Sequence, residues 1–109
     1  MKRVLNTVTF DHGFHFSTKG GVYTGVTAIS LEDFVSKLEF VDAESLLFHY
    51  PRGDFQKWVD DTIGDTKLAD RLCFIERGLS GEQLRKQLLK IVRNRINELK
   101  GPFLSQSTS

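Results

Sequence analysis

The first third of the chain is predicted to form strands, because its apolar residues are β-branched or aromatic and turn signals divide them. Segments 4–10, 14–18 and 21–26 each carry such residues. The last two are joined by a turn that contains Gly20-Gly21, a pair that tolerates the positive φ angles of a tight hairpin. The pattern therefore predicts a small antiparallel β-meander in the N-terminal third.

From Ala28 onward the apolar spacing becomes helical, and five helix starts are indicated by capping residues. Each cap has a short polar side chain that can accept a hydrogen bond from the first helical turn, and the five are Ser30, Asp42, Asp54, Asp65 and Ser80. Pro51 and Gly64 end the second and third helices. The fourth helix is expected to run to Gly78, with inward-facing Leu68, Leu72 and Ile75.

These elements predict an α+β fold, in which a small antiparallel β-meander packs against four to five helices and a long amphipathic helix ends the domain. We expect one domain over residues 1–100 and a polar tail over residues 101–109. A chain of 109 residues can bury a sufficient hydrophobic core without disulfides or a structural metal. Because the Phe side chain has no polar atom, most of the nine Phe residues are expected in that core.

The predicted last helix, 81–100, has an apolar face and a basic face. The basic face consists of Lys86, Lys90, Arg93 and Lys100. Arg85 and Arg95 fall inside the apolar sector, where an unpaired guanidinium group is costly. They are expected either to pair with acidic side chains of the same chain, or to form an interface with a partner or a second copy together with Leu88 and Ile91.

Charge is divided unevenly along the chain, although the formal net charge is only +1. Residues 1–78 carry nine Lys/Arg and twelve Asp/Glu, a net of −3, and residues 79–109 carry six and two, a net of +4. The basic helix face, with Lys2 and Arg3 at the N-terminus, is suited to contact RNA, a ribosome or an acidic protein. The alternative is an ordinary solvated face.

The sequence contains no motif typical of catalysis or of cofactor binding. His12 and His15 lack the further converging ligands of a metal site. Cys73 is the single cysteine, which fits a reducing compartment, and it is expected within the fourth helix as a small, at least half-buried residue. We therefore expect a cytoplasmic protein that is not an enzyme and has no cofactor, no small-molecule substrate and no membrane span.

Four residues with functional potential cluster at the predicted corner between the second and third helices: His49, Arg52, Asp54 and Trp58. In one interpretation His49 and Arg52 brace the corner while Asp54 caps the next helix and Trp58 packs. In the other, the corner is a recognition site that presents Arg52 and Trp58, because Arg and Trp are frequent interface hot spots.

A longer series of residues resembles a known family. It starts with Phe14-His15-Phe16, and its most specific part runs from Phe48-His49-Tyr50 through Arg52-Gly53-Asp54-Phe55 to Leu68-Ala69. It resembles a domain of unknown function found in small, largely archaeal proteins and appended to some archaeal sugar-acting enzymes. The resemblance covers roughly residues 14–100, leaves segment 4–10 unmatched and transfers no catalytic residue. A domain found both alone and fused to enzymes implies an interaction or regulatory module.

The resulting expectation is a non-catalytic binding or regulatory module that forms a homodimer through the last helix and an edge of the meander. Unpaired backbone groups at a strand edge can pair with a further strand. The alternative is a ribosome- or RNA-associated factor that regulates translation through the basic helix face, for example by holding ribosomal subunits inactive.

Overall fold

The computed structural model describes residues 4–101 and shows a β-hairpin followed by five α-helices. The two strands are β1 (Phe14–Thr18) and β2 (Val22–Ala28). The helices are α1 (Leu31–Leu38), α2 (Ala43–His49), α3 (Asp54–Trp58), α4 (Thr66–Leu72) and α5 (Gly81–Lys100). A π-helical turn, Val59–Ile63, continues α3. The predicted α+β class and the long C-terminal helix are confirmed.

The hairpin pairs β1 with β2 in the antiparallel sense, as the apolar pattern predicts. The register runs from Phe14 opposite Ala28 to Thr18 opposite Val22. A bulge between Phe16 and Ser17 interrupts this register, so the tip of the hairpin is offset from its base.

The predicted first strand, segment 4–10, is not formed, so the expected meander is a two-stranded hairpin in the described part of the chain. Val4, Leu5 and Val8 are half-buried and pack against the core. Their spacing is not the strict alternation of a half-buried strand, which explains why the prediction was wrong. One backbone hydrogen bond of 2.7 Å, from the N–H of Val8 to the carbonyl of Ile29, ties this segment to the domain.

Three of the five predicted caps accept the expected hydrogen bond from the first helical turn, and they are Ser30, Asp65 and Ser80. Asp42 occupies the N-cap position of α2 without such a bond. Asp54 is not a cap, because Gly53 precedes α3 with a φ of 76° and Asp54 is the first helical residue. Its carboxylate is held by neighbouring side chains instead of by the helix N-terminus.

Helix α4 ends at Leu72, six residues before the predicted stop at Gly78. The hydroxyl of Tyr50 lies 2.7 Å from the carbonyl oxygen of Leu72 and 3.2 Å from that of Ile75. This side chain satisfies carbonyl groups that a longer helix would have used, so the helix can end there. Ile75 is buried as predicted but lies beyond the helix, and Cys73 is exposed at its end, contrary to expectation.

An aromatic core joins the hairpin to α1 and α3. Its members are in edge-to-face, tilted or stacked contact and comprise Phe14, Phe16, Phe34, Phe55 and Trp58. The expectation that most Phe residues are buried is wrong for Phe10, Phe40 and Phe74, which are exposed. These three lie outside the strands and α-helices, in the connections.

Helix α5 packs against α1, α2 and α4 and closes one side of the molecule. The side chains of Leu84, Leu88, Val92 and Ile96 are buried along its inner face. Leu88 is fully buried, so it lies in the core and not on the contact surface predicted for it. Close approach of α2 requires Gly81, because a Cβ atom there would lie 2.5 Å from the Cβ of Ala43.

Candidate functional site

Two side chains of α2 clamp the outer edge of β1. The Oγ of Ser45 donates to the carbonyl oxygen of Ser17 over 2.7 Å, and the N–H of Ser17 donates to Nε2 of His49 over 2.8 Å. Ser45 and His49 are four residues apart, so they lie on the same face of the helix. Together they satisfy both backbone groups of Ser17, as a neighbouring strand would, so the edge of β1 is covered at this residue.

His49 is held as a neutral ring with both nitrogens engaged. A backbone N–H can only donate, so Nε2 of His49 must be the unprotonated acceptor toward Ser17. The ring proton then lies on Nδ1, which donates to Oδ2 of Asp54 over 2.8 Å. The same oxygen accepts from Nε of Arg52 at 3.0 Å, and the guanidinium group stacks over the ring of Phe48.

The surroundings of this network shift two pKa values downward. Burial lowers the pKa of His49 below 6.5 and outweighs the hydrogen bond and charge of Asp54, which raise it. For Asp54, burial raises the pKa, but the hydrogen bonds from His49 and Arg52, with the positive charge of Arg52, outweigh burial and hold the pKa below its ordinary value. A neutral His49 beside an ionised Asp54 is thus the favoured state near neutral pH.

Trp58 is buried and serves the corner as a packing residue. Its indole N–H donates to the carbonyl oxygen of His12 over 2.9 Å and so ties the turn before β1 to α3. Of the two hot-spot residues considered for this corner, only Arg52 is presented to solvent. The bracing role considered for His49 and Arg52 matches these contacts, with Asp54 as the hub that both contact.

An open groove of about 360 Å³ lies between the start of the hairpin and α3. Its buried lining consists of Phe14, His49 and Trp58, and its exposed charged or titratable lining consists of His15, Lys57 and Asp61. Aromatic surface with polar groups around it is a common composition for a binding groove. The arrangement offers contacts to a ligand, but His49 has no free ring nitrogen with which to move a proton.

Beside this groove, three rings form an exposed row on the outer face of the hairpin. The ring of Phe10 lies 5.1 Å from that of His15, which lies 5.8 Å from that of Tyr23. We call Phe10, His15 and Tyr23 the aromatic row. Phe10 is 60% exposed and Tyr23 is 47% exposed. Both His15 Nδ1 and the Tyr23 hydroxyl hydrogen-bond to Oγ1 of Thr27, at 2.8 and 2.6 Å, so these two rings are held in place.

Sequence reasoning missed the aromatic row because Phe10 and Tyr23 were placed in strands and assigned no surface role. The signal that could have found it is the alternation in β1, where Phe14 and Phe16 face inward and His15 must therefore face outward. Its pairing with Thr27 then brings β2 side chains of the same face alongside.

A family model matches residues 11–108, and it describes a family of unknown function, DUF5752. The chain belongs to this family. No curated protein and no solved structure matches the chain. The family match confirms the resemblance to a domain of unknown function. It also begins directly after segment 4–10, which the resemblance left unmatched and in which the predicted strand is not formed.

In this DUF5752 domain, the two arginines in the apolar sector of α5 find partners within the chain. Arg85 donates to the carboxylate of Glu82 and to the carbonyl oxygen of Leu38. Arg95 donates to Oδ2 of the buried Asp65 at 2.8 Å, and this hydrogen bond is the main reason why the pKa of Arg95 is raised. Ile91 is half-buried against the core. Intramolecular pairing, the first of the two alternatives, therefore accounts for both arginines.

The basic face of α5 is partly neutralised in the same way. Arg93 pairs with Glu39, and the Lys100 ammonium lies 2.7 Å from a carboxylate oxygen of Glu32. Lys86 and Lys90 are exposed, and neither makes an ion pair within the described part of the chain. Lys2 and Arg3, the remaining members of the predicted basic surface, lie outside the described residues.

Residues 4–101 contain no group of three His, Cys, Asp or Glu side chains that could hold a metal ion. His12 and His15 instead hydrogen-bond to the hydroxyls of Thr9 and Thr27. Across the same residues, every helix is too short or too polar to cross a membrane.

Proposed function

We propose that this domain is a non-catalytic binding module that pairs with a second copy of itself through the outer face of its hairpin. The aromatic row carries the proposal, because it places exposed rings side by side in an ordered arrangement. Burying a large aromatic side chain is worth about 1.5–3 kcal/mol, so covering Phe10 and Tyr23 would be favourable.

The held orientation of the rings adds to this support. Thr27 fixes His15 and Tyr23 through its hydroxyl, so little side-chain entropy is lost when a partner covers them. A two-stranded sheet is also a small platform with one open face, and pairing two such faces gives the sheet a second layer. Tyr is among the residues that most often dominate binding energy at interfaces.

A non-catalytic role is supported by the way in which His49 is used. His49 and Asp54 form the pair that an acid–base site would need, with a buried imidazole and an oriented carboxylate. In a catalytic arrangement Nε2 would face the substrate, whereas here it accepts the N–H of Ser17. The pair therefore serves to hold β1 against α2 and α3. A cytoplasmic location remains part of the proposal, supported by the exposed thiol of Cys73.

Sedimentation equilibrium tests the proposal with two matched double variants. Phe10→Ser/Tyr23→Ser removes the two apolar ends of the aromatic row, and Phe40→Ser/Phe74→Ser removes two exposed aromatic residues elsewhere. We expect a dimer whose dissociation constant rises more than about 100-fold in the first variant, because each hot spot occurs twice in a symmetric dimer. The second variant should match the wild type. A wild-type monomer at all concentrations, or equal weakening by both variants, contradicts the proposal.

Binding to RNA through the basic face of α5 is a second candidate function, supported by the exposed Lys86 and Lys90. Electrostatic binding to phosphates weakens steeply with salt. Lys86→Glu/Lys90→Glu should then abolish binding to a single-stranded RNA at low salt, whereas Arg93→Gln should change it little, because Arg93 already pairs with Glu39. Binding that both variants leave unchanged, or no binding by the wild type at low salt, rejects this candidate.

A further inference from the structure

The described hydrogen bonds between the tip of the hairpin and α2 both fall on one residue of β1, Ser17, and the turn Lys19–Gly21 adds packing contacts to the same helix. The bulge between Phe16 and Ser17 separates the base of the hairpin, whose Phe14 and Phe16 are buried in the aromatic core, from the tip. We call residues 17–23 the hairpin tip. At Ser17 the tip is clamped by Ser45 and His49, and beyond it Val22 and Tyr23 are exposed.

We propose that the hairpin tip is a pH-sensitive element that is released from α2 when Nε2 of His49 takes up a proton from solvent. The neutral ring accepts the N–H of Ser17 through the Nε2 lone pair. Once that nitrogen carries a proton it becomes a donor, and two donors then face each other. The clamp is reduced to the single hydrogen bond between Ser45 and the Ser17 carbonyl.

The proton is taken up by His49 and not by the charged groups that surround it. Asp54 contacts Nδ1 and its lowered pKa keeps it ionised throughout the range in which histidine titrates. Arg52 sits on the far side of Asp54, and its charge opposes protonation of His49. From the other elements, His15 of β1, Lys57 of α3 and Asp61 of the π-helical turn line the same groove.

The direction of the pH effect follows from the lowered pKa of His49. The folded state binds the proton less readily than the unfolded state, in which the pKa is about 6.5. The clamp is therefore fully stabilising above about pH 6.5 and loses stability as pH falls through 6.5 toward the folded-state pKa. In that interval the equilibrium constant for release increases by up to about tenfold per pH unit.

Release would also loosen the aromatic row, because Tyr23 belongs to the hairpin tip, whereas Phe10 precedes the hairpin and His15 belongs to its base. Tyr23 would then be held beside His15 by the hydrogen bond of its hydroxyl to Thr27, without support from the clamp. This consequence rests on the proposed function, and dimerisation would then weaken in acid. The clamp itself does not depend on dimerisation, so the two proposals can fail separately. For that reason the test is made on the clamp and below the concentration at which any dimer forms.

Nuclear magnetic resonance on the full chain follows both sides of the clamp between pH 8 and 5. Imidazole nitrogen shifts report protonation of His49 Nε2, and hydrogen-exchange protection factors report opening at Ser17, Tyr23 and the core residue Val92. We expect protection at Ser17 and Tyr23 to fall up to about tenfold per pH unit as His49 protonates, while protection at Val92 holds. His49→Gln, whose amide side chain does not take up a proton in this range, should remove this pH dependence, whereas His12→Gln should retain it.

Several outcomes would overturn the proposal. Protection at Ser17 that persists after Nε2 protonates would show that the tip is held by other contacts. Loss of protection at Ser17 and Val92 together would indicate global unfolding without a separate element. If the His49→Gln variant does not fold, the wild-type titration alone still decides between these results.

Discussion

Most charged side chains of α5 pair with groups of the same chain, whereas the aromatic side chains on the outer face of the hairpin contact one another and remain exposed. By composition, the helix was the more conspicuous candidate for an interface. Arg95 and half of its basic face, Arg93 and Lys100, are balanced by acidic residues outside the helix. These acids are Asp65 before α4, Glu39 directly after α1 and Glu32 within α1. A surface whose groups are already paired has less to gain from a partner than one that still exposes apolar area.

The largest expected effect concerns the inner face of α5. Leu88→Ala should lower the free energy of unfolding by about 2–5 kcal/mol, because it leaves a cavity at a fully buried site. Leu47→Ala, at a side chain that is 43% exposed, should cost much less. Urea denaturation of both variants makes the comparison, and equal losses would contradict the burial of Leu88.

An intermediate effect separates the two kinds of ion pair on α5. Arg95→Met should cost up to about 3 kcal/mol, because it leaves the carboxylate of Asp65, which is 2% exposed, without its charged partner. Arg93→Met should cost less than about 1 kcal/mol, because Arg93 and Glu39 are both well exposed. Thermal denaturation of the two variants at equal ionic strength measures this difference, and a larger loss for Arg93→Met would reverse the assignment of the structural pair.

Local contacts could be predicted from the sequence, whereas contacts between distant residues could not. The caps at Ser30, Asp65 and Ser80 depend on residues three positions away, so a local pattern was sufficient to predict them. The clamp on Ser17 joins residues 28 and 32 positions apart, and no local pattern reports such a contact. At Asp54 a local pattern and a contact of the folded chain compete. The local pattern predicts an N-cap, but the carboxylate accepts hydrogen bonds from His49 and Arg52 instead.

Hydrophobicity alone also could not separate buried from exposed Phe residues. Phe14 and Phe16 are placed inward by the alternation of β1, whereas Phe10 lies in a short 3₁₀ turn that is joined to α3 by the hydrogen bond from Trp58 to the His12 carbonyl. The aromatic row therefore emerges only when the hairpin and its neighbouring turn are assembled. The sequence pattern predicted the basic face of α5. Which of its cations form ion pairs depends on the acidic residues that the fold places next to this face.

The smallest expected effect completes the comparison. Phe10→Ser/Tyr23→Ser should change the free energy of unfolding of the monomer by less than about 1 kcal/mol, because neither side chain is buried in the isolated domain. Chemical denaturation well below the dimer dissociation constant measures this quantity. A loss as large as that of Leu88→Ala would mean that the aromatic row supports the fold and is not reserved for a partner.

A dilution series followed by amide chemical shifts tests most directly whether the hairpin face, and not α5, is the contact surface. Dimerisation through the hairpin face predicts concentration-dependent shifts at Phe10, His15, Tyr23 and Thr27, with Lys86 and Lys90 unchanged. Shifts confined to the outer face of α5, or none at any concentration, would contradict it.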